Sequence, residues 1–297
     1  MDRKVEIEAR MRAKLALCLV TLIWGVTFPV VKSALSGISP MAFLSIRFVA
    51  ATAVFYTLFG SHITLNSART WRRGILLGGF LALGMGAQTA GLVHTTASRS
   101  AFITGLSVVF VAILAIGSRQ SNLSFLALLS VCLSSAGLYL MTNPETGAMN
   151  AGDWMTLLGA GAFGVHIFLI NLFSESDVYT LVLLELGMLG VVFSIGAMLS
   201  SNEHIHWSLG LILSFAFLII FATVGAYLLQ LHFQKQITPI QASLIYATEP
   251  VFAAVLSILA LGEILTVKEV AGGLLLVGAI FASELRRSGR EQERRPK

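Results

Sequence analysis

The sequence predicts an all-α integral membrane protein: ten transmembrane helices arranged as two five-helix repeats of inverted topology, with both termini cytoplasmic. Three observations carry that expectation. The 297 residues are 56% apolar and only 12% charged, with a mean hydropathy of +0.83, whereas a soluble domain of this size carries about 25% charged residues to cover its surface. The apolar residues fall into ten blocks, each close to the roughly 20 residues that cross a ~30 Å hydrocarbon core. Lys and Arg gather on one alternating set of connecting segments. This composition excludes a disordered chain, a collagen-like repeat and a secreted disulfide scaffold. Cys18 and Cys132 lie inside apolar blocks and read as small apolar fillers.

In chain order the blocks are Ala13–Val31, Pro40–Phe59, Gly74–Val93, Ser98–Gly117, Leu123–Thr142, Gly152–Phe173, Tyr179–Leu199, Ser208–Leu231, Pro239–Gly262 and Thr266–Leu285. Turn and charge clusters such as KSALSGIS, GSHITLNSARTWRR and FSESDVY separate them, all too short for a second folded domain. The chain thus divides into a cytoplasmic segment 1–12, a first repeat 13–142, a second repeat 152–285 and a basic cytoplasmic tail 286–297. Its basic start and first apolar run fit a retained signal anchor rather than a cleaved signal peptide, because nine more spans follow.

Sixteen Lys and Arg residues flank one side, among them Arg3, Lys4, Arg69, Arg72, Arg73, Arg119, Lys235 and the cluster from Arg286. Only Lys32, Arg99 and Lys268 flank the other. The positive-inside tendency places the richer side, and both termini, in the cytoplasm, and an even number of spans agrees. A pI near 9.5 raises the question of nucleic acid, but basic residues spread over short loops fit topology better.

An internal repeat sets the architecture. Ala101–Leu114 aligned with Ser243–Leu256 matches Ile103 with Ile245, Val109 with Val251, Phe110 with Phe252, Ala112 with Ala254 and Leu114 with Leu256. WGVTF from Trp24 likewise pairs with FGVHI from Phe163. The matches keep their order at nearly constant separation. Five spans per copy is an odd number, so the second copy enters the membrane in the opposite sense, the plan of secondary transporters with a site near the midplane.

The stretches LIWGVTFPVVK, SPMAFLSIRFVAA, TTASRSAFITGLSVVFVAIL and above all ASLIYATEPVFAAVLSILALGEILTVKEVAGGLLLVGAI resemble the drug/metabolite transporter superfamily, EamA type, over about Leu15 to Leu285. The first copy departs from the second where Val108 replaces Pro250 and where Gly262 and Glu263 have no counterpart. The resemblance implies a ten-helix carrier whose cavity is lined by helices 1 to 4 and 6 to 9, with 5 and 10 outside. It also implies amino acids, other metabolites or drugs as substrates, often moved outward, and a prokaryotic inner membrane.

Charges at bilayer depth cost at least ~2.5 to 3.5 kcal/mol, so Arg47, Glu185 and Glu249 need partners or a wet cavity. Arg47 and Glu185 lie at similar depths on helices 2 and 7, as a structural ion pair or as substrate contacts. Glu249 stands directly before Pro250 in mid-helix, where the missing N–H predicts a kink and a locally polar turn. Such a carboxylate binds a cation, a proton or an amine, or else cements helices. Tyr246, one turn earlier, places its hydroxyl near the same level. Trp24 and Phe28 share a face of helix 1, beside the bend expected at Pro29, and either stack on substrate or pack. Gln88, His166, Asn171, Gln230 and His232 line the path or bond between helices. The glycines of helices 3 and 6, including the Gly74/Gly78 pair, allow close packing and sliding. Glu263 reads as an interfacial cap.

No nucleophile motif or intramembrane pair of aspartates suggests an enzyme. No Walker sequence offers nucleotide hydrolysis, and the EHIH of Glu203–His206 is too sparse for zinc. No metal or cofactor is expected. The expected function is secondary active transport, as a proton-coupled exporter of small organic metabolites. An uptake carrier or exchanger, a channel and a non-transporting scaffold are the alternatives. The implied partners are the lipid bilayer, a small-molecule substrate and protons, not nucleic acid; homo-oligomerisation is left open.

Overall fold

A computed structural model describes residues 3–64, 67–118, 125–142, 148–200, 204–252 and 266–293. Among them the regular structure is helical: α1 (Arg3–Gly25), α2 (Thr27–Ala34), α3 (Pro40–Phe59), α4 (Ala68–His94), α5 (Ala97–Gly105), α6 (Ser107–Gly117), α7 (Phe125–Thr142), α8 (Ala151–Leu172), α9 (Val178–Leu199), α10 (Leu209–Ile219), a π-turn (Ile220–Gly225), α11 (Ala226–Phe233), α12 (Pro239–Tyr246) and α13 (Val267–Glu293). Seven stretches of the described residues are long and apolar enough to cross a membrane, and Phe125–Leu140 is apolar but shorter. The span expected from Pro239 to Gly262 leaves the described residues after Phe252, so Glu263, like Arg119 and Glu203, lies outside them.

Helix starts are written in the sequence as short polar side chains that accept an otherwise unpaired backbone N–H. Ser67, Thr96, Asp177 and Ser208 do so for α4, α5, α9 and α10. Asn150 with Asp153 and Thr238 with Gln241 form reciprocal capping boxes at α8 and α12.

The loops gather on two faces. On one, Lys32 of α2 donates its Nζ protons to the carbonyls of Leu92, in the last turn of α4, and of Thr95, just past it, and Arg99 pairs with Asp153 at 2.8 Å. Ser39 and His204 also join there through a backbone hydrogen bond. This is the Lys32 face. On the other, Arg73 reaches Ser176, Thr64 meets Thr180, and Asn171 holds the carbonyl of Ile237. This is the Gln234 face. Two of the three basic residues that stand against the charge asymmetry, Lys32 and Arg99, are thus engaged by helix ends.

α4 is held between α8 and α9, and its glycines permit that. A Cβ at Gly78 would meet the Met188 Cβ of α9 at 2.8 Å, and one at Gly91 would meet the Gly152 carbonyl of α8 at 2.6 Å. The fully buried Phe43 and Phe48 of α3 pack against Phe215 and Phe193, with ring centroids 5.3 and 5.8 Å apart. α7 lies along α13, where Gly137 approaches the Gly272 carbonyl. Large apolar side chains such as Val191, Leu213 and Phe221 point outward, as they must where the solvent is hydrocarbon. Cys132 is exposed and fills no gap, because its side of α7 turns away from the bundle; Cys18 is half-buried.

Candidate functional site

Three helices change course beside a central cavity. The backbone tightens at Val26, where ψ is −21°, at Leu106, where ψ is −4°, and at Ala247, where ψ is −9°. The hydroxyls of Thr27 and Thr248 take up the carbonyls of Trp24 and Ile245 at these turns. Two of the three breaks directly follow Gly25 and Tyr246, whose carbonyls lose their helical partner because Pro29 and Pro250, four residues on, have no N–H. The break at Val26 precedes Pro29 by three residues, the break at Ala247 precedes Pro250 by the same distance, and the break at Leu106 has no proline near it.

A fourth irregularity left no mark in the sequence pattern. In the π-turn the Thr223 hydroxyl donates to the Leu218 carbonyl five residues back, at 2.7 Å, and accepts from Arg47 Nε at 2.9 Å. The Ala222 carbonyl receives the indole N–H of Trp24 at 3.1 Å. π-turns concentrate at functional sites because they free backbone groups for contacts of this kind.

The cavity wall contains Trp24 and Phe28, Arg47, Gln88 with Thr104, Ser107, Phe163 with His166, Tyr227 with Gln230, and Tyr246 with Glu249. Eight of the eleven residues singled out from sequence for the path therefore meet there. Glu185 does not: it stands behind the wall, with its Oε2 3.4 Å from His166 Nε2. Arg47 and Glu185 do not form an ion pair, since each has turned to a different neighbour. Among the described residues the Glu249 carboxylate has no hydrogen-bond or ion-pair partner, and Arg47 meets no carboxylate. Among the described residues the cavity therefore holds one free acid and one permanent cation amid aromatic and amide side chains.

Toward the Gln234 face the cavity is floored by Trp24, whose ring lies 5.8 Å from that of Tyr227 and 5.5 Å from that of Tyr246. Beneath the floor is a hub. Gln234, with no exposed surface, donates to the Ile167 carbonyl at 2.7 Å and to Asn171 Oδ1 at 2.9 Å. Its Oε1 accepts from Tyr246 Oη at 3.0 Å and from Gln230 Nε2 at 3.2 Å. Asn171 thus belongs to the hub and not to the wall, and Tyr246 directs its hydroxyl to the hub instead of toward Glu249. His232 is exposed, with its ring edge-on to Phe233, and lines nothing.

Sequence reasoning missed Thr104, Ser107, Tyr227, Gln234 and Thr223. Thr104 and Ser107 were within reach, as the aligned counterparts of Tyr246 and Glu249. Tyr227 and Gln234 lie three residues before and four after Gln230, on the same helical face. Thr223 gave no signal.

The EamA-like transporter family model matches this chain twice, over residues 11–143 and 150–284. Two uncharacterized transporters of Archaeoglobus fulgidus are similar to it: one is 31% identical over 93% of this chain and 87% of its own length, the other 26% identical over 90% and 97%. The uncharacterized transporter YoaV of Bacillus subtilis is 23% identical over 91% of this chain and 96% of its own. A solved structure titled only as the crystal structure of a protein superposes with a TM-score of 0.78 at 16% identity, over 93% of this chain and 98% of that one, and so shares the fold. The apolar helices and these relatives define a multi-pass membrane transporter. The chain belongs to the EamA-like transporter family.

Proposed function

We propose that this protein is a secondary active transporter that exports small organic solutes from the cell by alternating access, in exchange for protons. In this reading it spans the inner membrane ten times as two inverted repeats, 13–142 and 152–285, with both termini and the Gln234 face in the cytoplasm. The density of Arg and Lys at the N-terminus, at Arg69–Arg73 and at Lys235 supports that orientation.

One observation carries the reading: Glu249 and Arg47 share one aromatic-walled cavity without pairing to each other. A solute with an amine and a carboxylate would satisfy both, with the ammonium at Glu249 and the carboxylate on the planar guanidinium. Amino acids and related zwitterions are the substrates this arrangement suits. Trp24, Phe28 and Tyr227 would cover the apolar part, and Gln88 with Thr104, joined at 2.9 Å, would complete the polar side.

The test is flux into proteoliposomes from a panel of amino acids, other metabolites and cationic drugs, with a pH dye inside. Saturable movement of one class with proton counterflow, lost in Glu249→Gln, is the expected result. Unimpaired flux in that variant would remove Glu249 from the site, and a wild-type protein that moves nothing across the panel would favour the scaffold alternative.

A further inference from the structure

Glu185 sits on α9 directly opposite Gly78 of α4, close enough that a Cβ on that glycine would stand 3.2 Å from the Glu185 Cα. The side chain has no exposure, and neither carboxylate oxygen accepts a hydrogen bond among the described residues. Its polar neighbour is His166, 3.4 Å away and itself 2% exposed. An ionised carboxylate held in such a place without compensation costs several kcal/mol, so the pair requires a proton between its two members. His166 belongs to α8 and forms part of the cavity wall, whereas Glu185 does not. The imidazole is therefore the connection between the buried carboxylate and the cavity.

The other charged and titratable groups around the pair are few. The Tyr227 phenol of α11 lies within electrostatic reach of Glu185, Arg47 and Glu249. Arg47 comes from α3, and its Nε is committed to Thr223. The titratable groups of α4 lie at its ends, Arg69, Arg72 and Arg73 at one and His94 at the other. None of these occupies the space between His166 and Glu185.

We infer that His166 and Glu185 together form a proton-binding site distinct from Glu249, and that this pair holds the proton exchanged for substrate. The inference rests on the carrier reading above and divides its charges: Glu249 and Arg47 meet the solute, while the pair behind the wall meets the proton. A proton taken by one imidazole nitrogen from cavity water allows Nε2 to pass its own proton to Glu185 Oε2. At the imidazole one N–H bond forms and one breaks, an O–H bond of the protonated water breaks as another forms on Glu185, and the products are water, a neutral imidazole and a carboxylic acid. Return of the proton reverses the same steps. With one proton the pair is neutral in either arrangement, which suits its burial; buried carboxylate and histidine chains serve as proton relays in other pumps and transporters.

The experiment is infrared difference spectroscopy of the full chain in lipid, titrated from about pH 5 to pH 8, the range in which imidazole ordinarily changes charge. The probe is the proton itself, read as the stretch of a protonated carboxyl. A titrating band is expected in the wild type, absent in Glu185→Gln, retained in Glu249→Gln and displaced in its titration in His166→Gln. A wild type with no titrating band, a band that survives Glu185→Gln, or one whose titration ignores His166→Gln would each overturn the inference. Should Glu185→Gln fail to fold, the His166→Gln titration alone decides. No solute is present in this measurement, so a failed flux assay and a failed titration are separate results.

Discussion

The helix broken at Leu106 and the helix broken at Ala247 occupy matching places in the two halves recognised by the family model, and they differ in chemistry more than in shape. Both tighten within one residue of aligned positions, and both turn the residues on either side toward the cavity. The first supplies the hydroxyls of Thr104 and Ser107; the second supplies a phenol at Tyr246 and a carboxylate at Glu249. One has a proline downstream and the other a valine. The bend is thus shared by both copies, whereas the charge stands in one. Two of the other helix pairs are less alike. α1 and α2 are separated by a break while their counterpart α8 runs unbroken, and α4 is continuous while its counterpart contains the π-turn.

The largest expected effect tests the chemical difference. Glu249→Gln should lower flux by about 10- to 100-fold, the worth of one charge-assisted contact, whereas Ser107→Ala should change it by less than about 3-fold. Equal losses in proteoliposome flux would mean that the halves share the work. The next concerns packing. Gly91→Ala places a Cβ against the Gly152 carbonyl and should cost about 1 to 3 kcal/mol, while Gly79→Ala meets nothing within 4 Å and should leave thermal unfolding in detergent unchanged. A comparable shift in both would deny that the close contact of α4 with α8 matters.

Gln234 has no equivalent role in the first half. Gln234→Leu should loosen the Gln234 face by about 1 to 2 kcal/mol, since each partner it leaves is buried. A cysteine placed by Tyr246→Cys, in a chain lacking Cys18 and Cys132, should then react faster with a water-soluble maleimide; an unchanged rate would show that the hub is not a seal. The smallest effect is expected at the proline. Pro250→Val imitates the first copy and should alter stability by no more than about 1 kcal/mol, with flux preserved. A loss as large as that of Glu249→Gln would show that the break at Ala247 needs its proline.

Much of the fold was legible because hydrophobic length and loop charge are local quantities, readable block by block. The wall of the cavity was legible for a related reason: a charge or amide inside an apolar helix has few places to go. The partners were not. Arg47 turns to Thr223 instead of Glu185 because the π-turn presents a hydroxyl there, and no residue pattern in Ile220–Gly225 announces that turn. Glu185 finds His166 across a gap that depends on Gly78 of a third helix. The breaks at Val26 and Ala247 lie in the turn that a downstream proline deprives of one hydrogen bond, whereas no proline lies near the break at Leu106.

The π-turn has a mechanical consequence. Ile220–Gly225 contains one residue more than a regular helix would use to cover the same distance, a surplus stored in the middle of a rod. Winding the same residues as a regular helix, with none removed, would carry everything beyond them forward by about 1.5 Å and round by about 100°. Tyr227 and Gln230 would leave the cavity, and Gln234 would leave its partners. The surplus residue acts as a phase setting: it fixes which side of the rod looks inward on either side of the interruption, so that the end facing Arg47 and the end closing the floor are each correctly turned although no uniform helix could serve both.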